Sequence, residues 1–105
     1  LRYAPGQQYR MHMDAMPSTP NQRIRTMIVY LNDGYAGGET MFEANGLKVA
    51  GRTGDVLLFD NILPDGRADP ASRHASLPVT SGIERIATRW IRAQPYDPWN
   101  YRPGE

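Results

Sequence analysis

Apolar residues along this chain recur in short alternating or unbroken runs, interrupted by Gly, Pro, Asn and Asp, and nowhere keep the spacing of an amphipathic helix. The pattern predicts an all-β domain. Residues 1–3 and 9–15 read as strands joined by the turn Ala4-Pro5-Gly6-Gln7, and 16–22, with its prolines, as a loop. Residues 23–31 form the clearest strand, with β-branched and aromatic side chains at Ile24, Thr26, Ile28, Val29 and Tyr30. Its apolar character on both faces places it centrally. The turns Asn32-Asp33-Gly34 and Gly37-Gly38 follow, then strands at 39–43 and 47–50 closed by Asn45-Gly46, a strong hairpin signal. A compact strand at 56–59 is expected to be buried. Residues 60–72 read as a long loop, of a length that in small domains is usually functional. Strands at 74–79 and 83–91 flank the turn Thr80-Ser81-Gly82, and the Pro-, Tyr- and Trp-rich tail at 94–105 is expected to pack over the outside. About eight short strands at this spacing fit a sandwich or jelly roll.

The chemistry concentrates in Tyr9-Arg10-Met11-His12-Met13-Asp14. On a strand His12 and Asp14 project to one face, and Met11 and Met13 to the other. The sequence holds two histidines, and the second, His74, lies in a segment of its own. Two histidines and one carboxylate occupy one face of an octahedron and leave three positions open, the arrangement of non-haem Fe(II) oxygenases. The bare tripeptide is weak support, so its context decides.

Composition narrows the field. The 105 residues suffice for a single domain, 1–105, with one core. A net charge of +1, without a basic block or stripe, gives no case for nucleic acid or an anionic membrane. Of 12 cationic residues only Lys48 is Lys, so a fixed carboxylate site would use Arg. With no cysteine, any metal is held by N and O ligands. No apolar run approaches a membrane span and nothing resembles a signal peptide, so a soluble, cytoplasmic protein is the expectation. Because the chain opens at Leu1 inside a strand, a fragment lacking an N-terminal helical portion is also expected.

Seven blocks in order resemble the catalytic core of the Fe(II)/2-oxoglutarate-dependent dioxygenases, most closely the prolyl 4-hydroxylase-like branch. They are Tyr3-Ala4-Pro5-Gly6-Gln7-Gln8-Tyr9, His12-Met13-Asp14, Met27-Ile28-Val29-Tyr30-Leu31-Asn32, Gly37-Gly38-Glu39-Thr40-Met41-Phe42, Gly54-Asp55-Val56-Leu57-Leu58-Phe59, His74-Ala75-Ser76-Leu77-Pro78-Val79 and Ala87-Thr88-Arg89-Trp90-Ile91-Arg92. The resemblance implies a double-stranded β-helix, a cupin-like jelly roll, with His12, Asp14 and His74 as iron ligands. It implies Fe(II), the cosubstrate 2-oxoglutarate, O2 and ascorbate as cofactors. The implied activity is hydroxylation of an unactivated C–H bond, foremost of peptidyl proline, coupled to decarboxylation of 2-oxoglutarate to succinate and CO2. It assigns 2-oxoglutarate contacts to Tyr3, Tyr30, Thr40 and Trp90, although the three aromatic residues fit core positions equally well. Tyr9, Arg23 and Arg25 are the candidates for substrate contact at the mouth.

One position departs from the family. The far carboxylate of 2-oxoglutarate meets a Lys or Arg ten residues after the second histidine in prolyl 4-hydroxylase-like relatives, where this chain has Glu84. Three arrangements would account for it. A bulge near Gly82 would turn Arg85 inward, the favoured reading; Arg25 or Arg89 would reach the pocket; or the site would be defective or take another cosubstrate. Three functions follow: a hydroxylase of a proline-containing peptide or protein, a hydroxylase of a free amino acid or other small molecule, and a silent jelly-roll module that binds a metal or small acid.

Overall fold

The β-branched run Arg23–Tyr30 (β3) lies between Glu84–Arg92 (β10) and Val56–Asp60 (β7), with Arg2–Tyr3 (β1) on the far edge of β10. This computed structural model describes residues 1–17 and 19–94; the tail expected to cover the sheets falls at 95–105, outside the described residues. A second four-stranded sheet runs Tyr9–His12 (β2), His74–Ser76 (β8), Thr40–Phe42 (β5) and Lys48–Val49 (β6). Every pairing in both sheets is antiparallel. The two sheets form the jelly roll of a double-stranded β-helix.

The two-residue period of a strand decides which side chains enter the space between the sheets. On β3, Thr26, Ile28 and Tyr30 are buried, and on β10 Glu84 and Ile86 are. Tyr3, Ile28, Tyr30, Val79 and Ile86 form the core cluster, with Leu57 and Phe59 against it. Full burial of one such apolar side chain contributes roughly 1.5–3 kcal/mol, so these few positions anchor the walls that carry the polar groups.

The expected strand at 74–79 divides where Leu77-Pro78 interrupts the ladder: β8 stays in its sheet, while Val79–Ser81 (β9) pairs with Ala36–Gly37 (β4). Two-residue strands such as β4 carry no periodicity and are invisible to pattern reading. The Asn45-Gly46 turn joins β5 to β6 as expected, with Asn45 Oδ1 accepting from the Leu47 amide at 3.0 Å. The 60–72 segment is more ordered than a plain loop. It contains an Ile62–Ala68 bridge and a 3-10 turn at Pro70–Ser72, capped by the Asp69 carboxylate.

Candidate metal centre and active site

β2 ends at His12, so Met13 and Asp14 lie beyond the paired strand, and Asp14 nevertheless turns back toward the imidazole. His12 Nε2 stands 3.2 Å from Asp14 Oδ1, and His74 Nε2 stands 3.7 Å from the same oxygen. His12 and His74 are register partners on β2 and β8, which is how a long-range ladder brings the second histidine to the first pair. One ligand atom from each of the three residues falls within 4.8 Å of the others, and Asp14 and His74 are buried.

The local backbone decides which ring nitrogens face the centre. His12 Nδ1 lies 2.6 Å from the Arg10 carbonyl and His74 Nδ1 lies 2.7 Å from the Ser72 carbonyl. A carbonyl only accepts, so each Nδ1 carries the hydrogen and each Nε2 presents its lone pair inward. Phe59 meets the His74 ring at 4.9 Å and 67°, fixing its plane with Phe42. Two neutral imidazoles and a carboxylate, with three coordination positions left open, are the donor set that Fe(II) takes in a facial triad.

Thr26 and Asn61 complete the centre, and sequence reasoning did not name them. The Thr26 hydroxyl donates to Asp14 Oδ2 at 2.5 Å, and Asn61 Nδ2 donates to that hydroxyl at 2.8 Å; Thr26 and Asn61 are fully buried. Thr26 comes from the central strand, and Asn61 directly follows β7, which pairs with it. Burial alone would raise the Asp14 pKa, but hydrogen bonds from His12 and Thr26, with the nearby imidazoles, bring it down to about 2. Burial likewise pulls both imidazoles down; in His12 the bonds to Asp14 and Arg10 outweigh it and the net shift is upward, whereas more deeply buried His74 stays below its ordinary value.

The triad opens into a cavity of about 370 Å³. Its inner wall is apolar and closed, formed by buried Tyr3, Ile28 and Ile86; its outer rim is open, formed by Tyr9 and Trp90, which are 48% and 38% exposed. Arg23 lines the same rim, its guanidinium 3.7 Å from the centre of the Trp90 ring and its Nε buried without a partner among the described residues. Tyr30 and Thr40 are buried and share a hydrogen bond at 3.1 Å, without forming part of the cavity wall.

Two expectations about arginine are corrected. Strand β10 alternates strictly through Glu84, Arg85 and Ile86, its register shift falls at Ile91/Arg92 rather than near Gly82, and Arg85 is therefore exposed while Glu84 is buried. Arg25 faces outward from β3, where it pairs with Asp60 at 2.7 Å, and Arg89 is also exposed. None of the three points into the cavity.

Comparison with known proteins agrees with this geometry. A family model of the 2OG-Fe(II) oxygenase superfamily matches residues 1–92. Prolyl 4-hydroxylase 13 of Arabidopsis thaliana is 39% identical over 92% of this chain and 43% of its own length. Probable prolyl 4-hydroxylase 9 of the same plant is 41% identical over 90% of the chain and 40% of its length. Among solved structures, the viral collagen prolyl hydroxylase of Paramecium Bursaria Chlorella virus-1, as a 2OG complex, superposes with a TM-score of 0.80 at 35% identity, covering 90% of this chain and 56% of that one. A Pseudomonas putida prolyl-4-hydroxylase gives 0.67 at 29% identity, covering 93% and 52%. The chain thus spans about two fifths of the length of the plant relatives. The family's metal and cosubstrate are Fe(II) and 2-oxoglutarate, and His12, Asp14 and His74 fit the metal in number, donor type and spacing. A match that runs from the first strand to the last, over a fold that superposes at this level, places the chain in the 2OG-Fe(II) oxygenase superfamily, on its prolyl 4-hydroxylase-like branch.

Proposed function

We propose that this chain is the catalytic core of a hydroxylase acting on proline within a peptide or protein, with 2-oxoglutarate as cosubstrate. The observation that carries the reading is the His12–Asp14–His74 cluster, half-buried at His12 and buried at the other two, whose Nε2 atoms face one cavity while each Nδ1 is tied to a backbone carbonyl. Fe(II) held there supplies activation of O2 and couples decarboxylation of 2-oxoglutarate to hydroxylation of a C–H bond.

The residues of the chain supply position and dryness. Thr26 and Asn61 hold Asp14 so that Oδ1 stays directed at the histidines. Ile28 and Ile86 exclude water from the inner wall, and Tyr3 places a hydroxyl there. At the rim, Tyr9 and the Arg23–Trp90 stack give flat aromatic surface and a charge. An aromatic groove suits the pre-ordered polyproline II form of proline-rich segments, which supports a peptide over a free amino acid. The names of the similar plant and viral proteins support the same substrate class.

The test is succinate formation by Fe(II)-loaded protein, with ascorbate as reductant, offered a proline-rich peptide, the same peptide with alanine for proline, or free proline. Succinate and a gain of one oxygen on the proline peptide alone are expected. Equal turnover with free proline would favour the small-molecule hydroxylase, and 2-oxoglutarate binding without turnover of any substrate would favour the silent binding module.

A further inference from the structure

The mouth of the metal cavity carries paired positive charge. Where β10 meets the start of β3, the register pairs Ile91 with Arg25 but Arg92 with Arg23, so Ile24 is one residue too many and forms a bulge on β3. Thr26, Ile28 and Tyr30 are the inward residues of that strand, and unbroken alternation would send Ile24 inward and Arg23 outward. The bulge reverses this. Arg23 lines the cavity and Ile24 does not. Arg92, two residues on from the cavity residue Trp90, lies on the same face as the register partner of Arg23, and both arginines are half-buried.

Like charges placed directly across a strand pair destabilise it, and nothing in the fold offsets this pair. Burial and, after it, the charge of Arg92 pull the Arg23 pKa down, with Asp14 and Tyr9 acting the other way. Asp14 is already engaged, Oδ1 toward the histidines and Oδ2 accepting from Thr26. Other arginines of the surface have a carboxylate of their own: Arg25 with Asp60 at 2.7 Å, Arg67 with Asp65 at 2.6 Å and Arg73 with Glu43 at 2.7 Å. Among the described residues Arg23 and Arg92 have none.

Both side chains are held in place with donors to spare. The Trp90 ring covers one face of the Arg23 guanidinium at 3.7 Å and uses none of its N–H groups, and Nε is buried without a partner among the described residues. Arg92 Nη1 donates to the Asn21 carbonyl at 3.1 Å, which fixes that side chain and leaves its other donors free of this bond. A planar guanidinium fork matches a carboxylate in shape and charge. We propose that Arg23 and Arg92 together bind a carboxylate of the substrate, so that the enzyme selects proline-containing peptides with an acidic side chain, or the chain terminus, close to the target proline. This rests on the prolyl hydroxylase reading above and names its substrate class: acidic peptides in place of neutral ones.

The experiment is binding of labelled, end-blocked peptides to the native metal-loaded protein, read by fluorescence anisotropy under anaerobic conditions, with succinate release measured in parallel in air. The peptides carry one proline and, at about one to three residues on either side, Asp, Asn or Lys; each step moves the charge by roughly 3 Å. One further neutral peptide keeps a free C-terminus. At one or more positions Asp is expected to bind about tenfold more tightly than Asn, the worth of one charge-assisted hydrogen bond at a half-exposed site, and Lys more weakly than Asn. The preference is expected to shrink as salt is raised. Arg92→Glu is expected to invert the order, with Lys above Asp, and Arg23→Gln to abolish the preference for Asp. A gain made by the free C-terminus instead of by Asp identifies the terminus as the source of the carboxylate.

Asp, Asn and Lys peptides that bind alike, with no gain from a free terminus, overturn the proposal. So does a preference for Asp that survives in both Arg92→Glu and Arg23→Gln, which would put the carboxylate elsewhere. The native protein with the peptide series decides by itself if a variant fails to fold. Failure of the prolyl hydroxylase reading looks different: the arginine-dependent preference for Asp is present with alanine in place of proline as well, and no peptide supports succinate release.

Discussion

Replacing Thr26 by valine preserves the shape of a fully buried side chain and deletes the hydroxyl that links Asp14 to Asn61. That hydroxyl donates to a carboxylate held ionised down to about pH 2, so the lost bond is a charge-assisted one. Such bonds contribute about 1.5–3 kcal/mol, and with about 1.4 kcal/mol per factor of ten the loss corresponds to roughly 10–150-fold in an equilibrium that needs Asp14 ionised and aimed. Outer partners of metal ligands typically carry about 10–100-fold in metal affinity. Both routes place the expected fall in Fe(II) affinity at about 10–100-fold. The metal-free protein is weakened as well, because the Asn61 amide loses its acceptor while its own Oδ1 already lacks a partner among the described residues; that orphaned group costs about 1–3 kcal/mol. The assay is anaerobic Fe(II) titration against a competing chelator, run beside urea unfolding of the metal-free form. Thr26→Ser, which keeps the hydroxyl, is expected to recover most of the affinity. A folded Thr26→Val protein with native Fe(II) affinity would refute the Asp14–Thr26–Asn61 relay.

Three further outcomes are expected. Asp14 titrates lower in the fold than in the unfolded chain, so its stabilisation of the metal-free protein, about 2 kcal/mol, is complete above pH 4 and is lost as pH falls toward 2; urea midpoints of Asp14→Asn should lack that slope. Gly51→Ala drives a Cβ into the Tyr30 ring, and since Tyr30 is buried the overpacking is expected to cost about 1–3 kcal/mol or more, read as a lower unfolding midpoint. Arg85→Ala, at an exposed position on the face opposite Glu84, is expected to leave the 2-oxoglutarate requirement unchanged within twofold; a large rise would mean that the strand register shifts when cosubstrate binds.

Much of the architecture was legible because the strands that matter follow a two-residue period. The alternation of Thr26, Ile28 and Tyr30 against Arg25, Met27 and Val29 sets the inner face of β3, and the same arithmetic on β10 puts Glu84 inside and Arg85 outside. The proposed bulge argued against that arithmetic, and the structure keeps the alternation. The metal triad was visible because two of its members sit two residues apart and the chain has few histidines. Its supporting groups were not, since Thr26 and Asn61 lie 12 and 47 positions from Asp14 and meet only through the pairing of β3 with β7. One signal was available: an inward Thr between apolar positions on a central strand has a hydroxyl that needs a buried partner. The exchange of β9 to a separate pairing with β4 left no trace in the pattern beyond Leu77-Pro78.

The most direct test of the account is anaerobic titration of the Fe(II)-loaded protein with 2-oxoglutarate, followed by visible absorption. A metal-to-ligand charge-transfer band is expected that saturates with cosubstrate and disappears in His74→Ala, where two remaining ligands make a poor iron site. Iron bound at the triad with no such band at any pH from 6 to 9 would contradict it, leaving a jelly roll that holds a metal without the chemistry of its family.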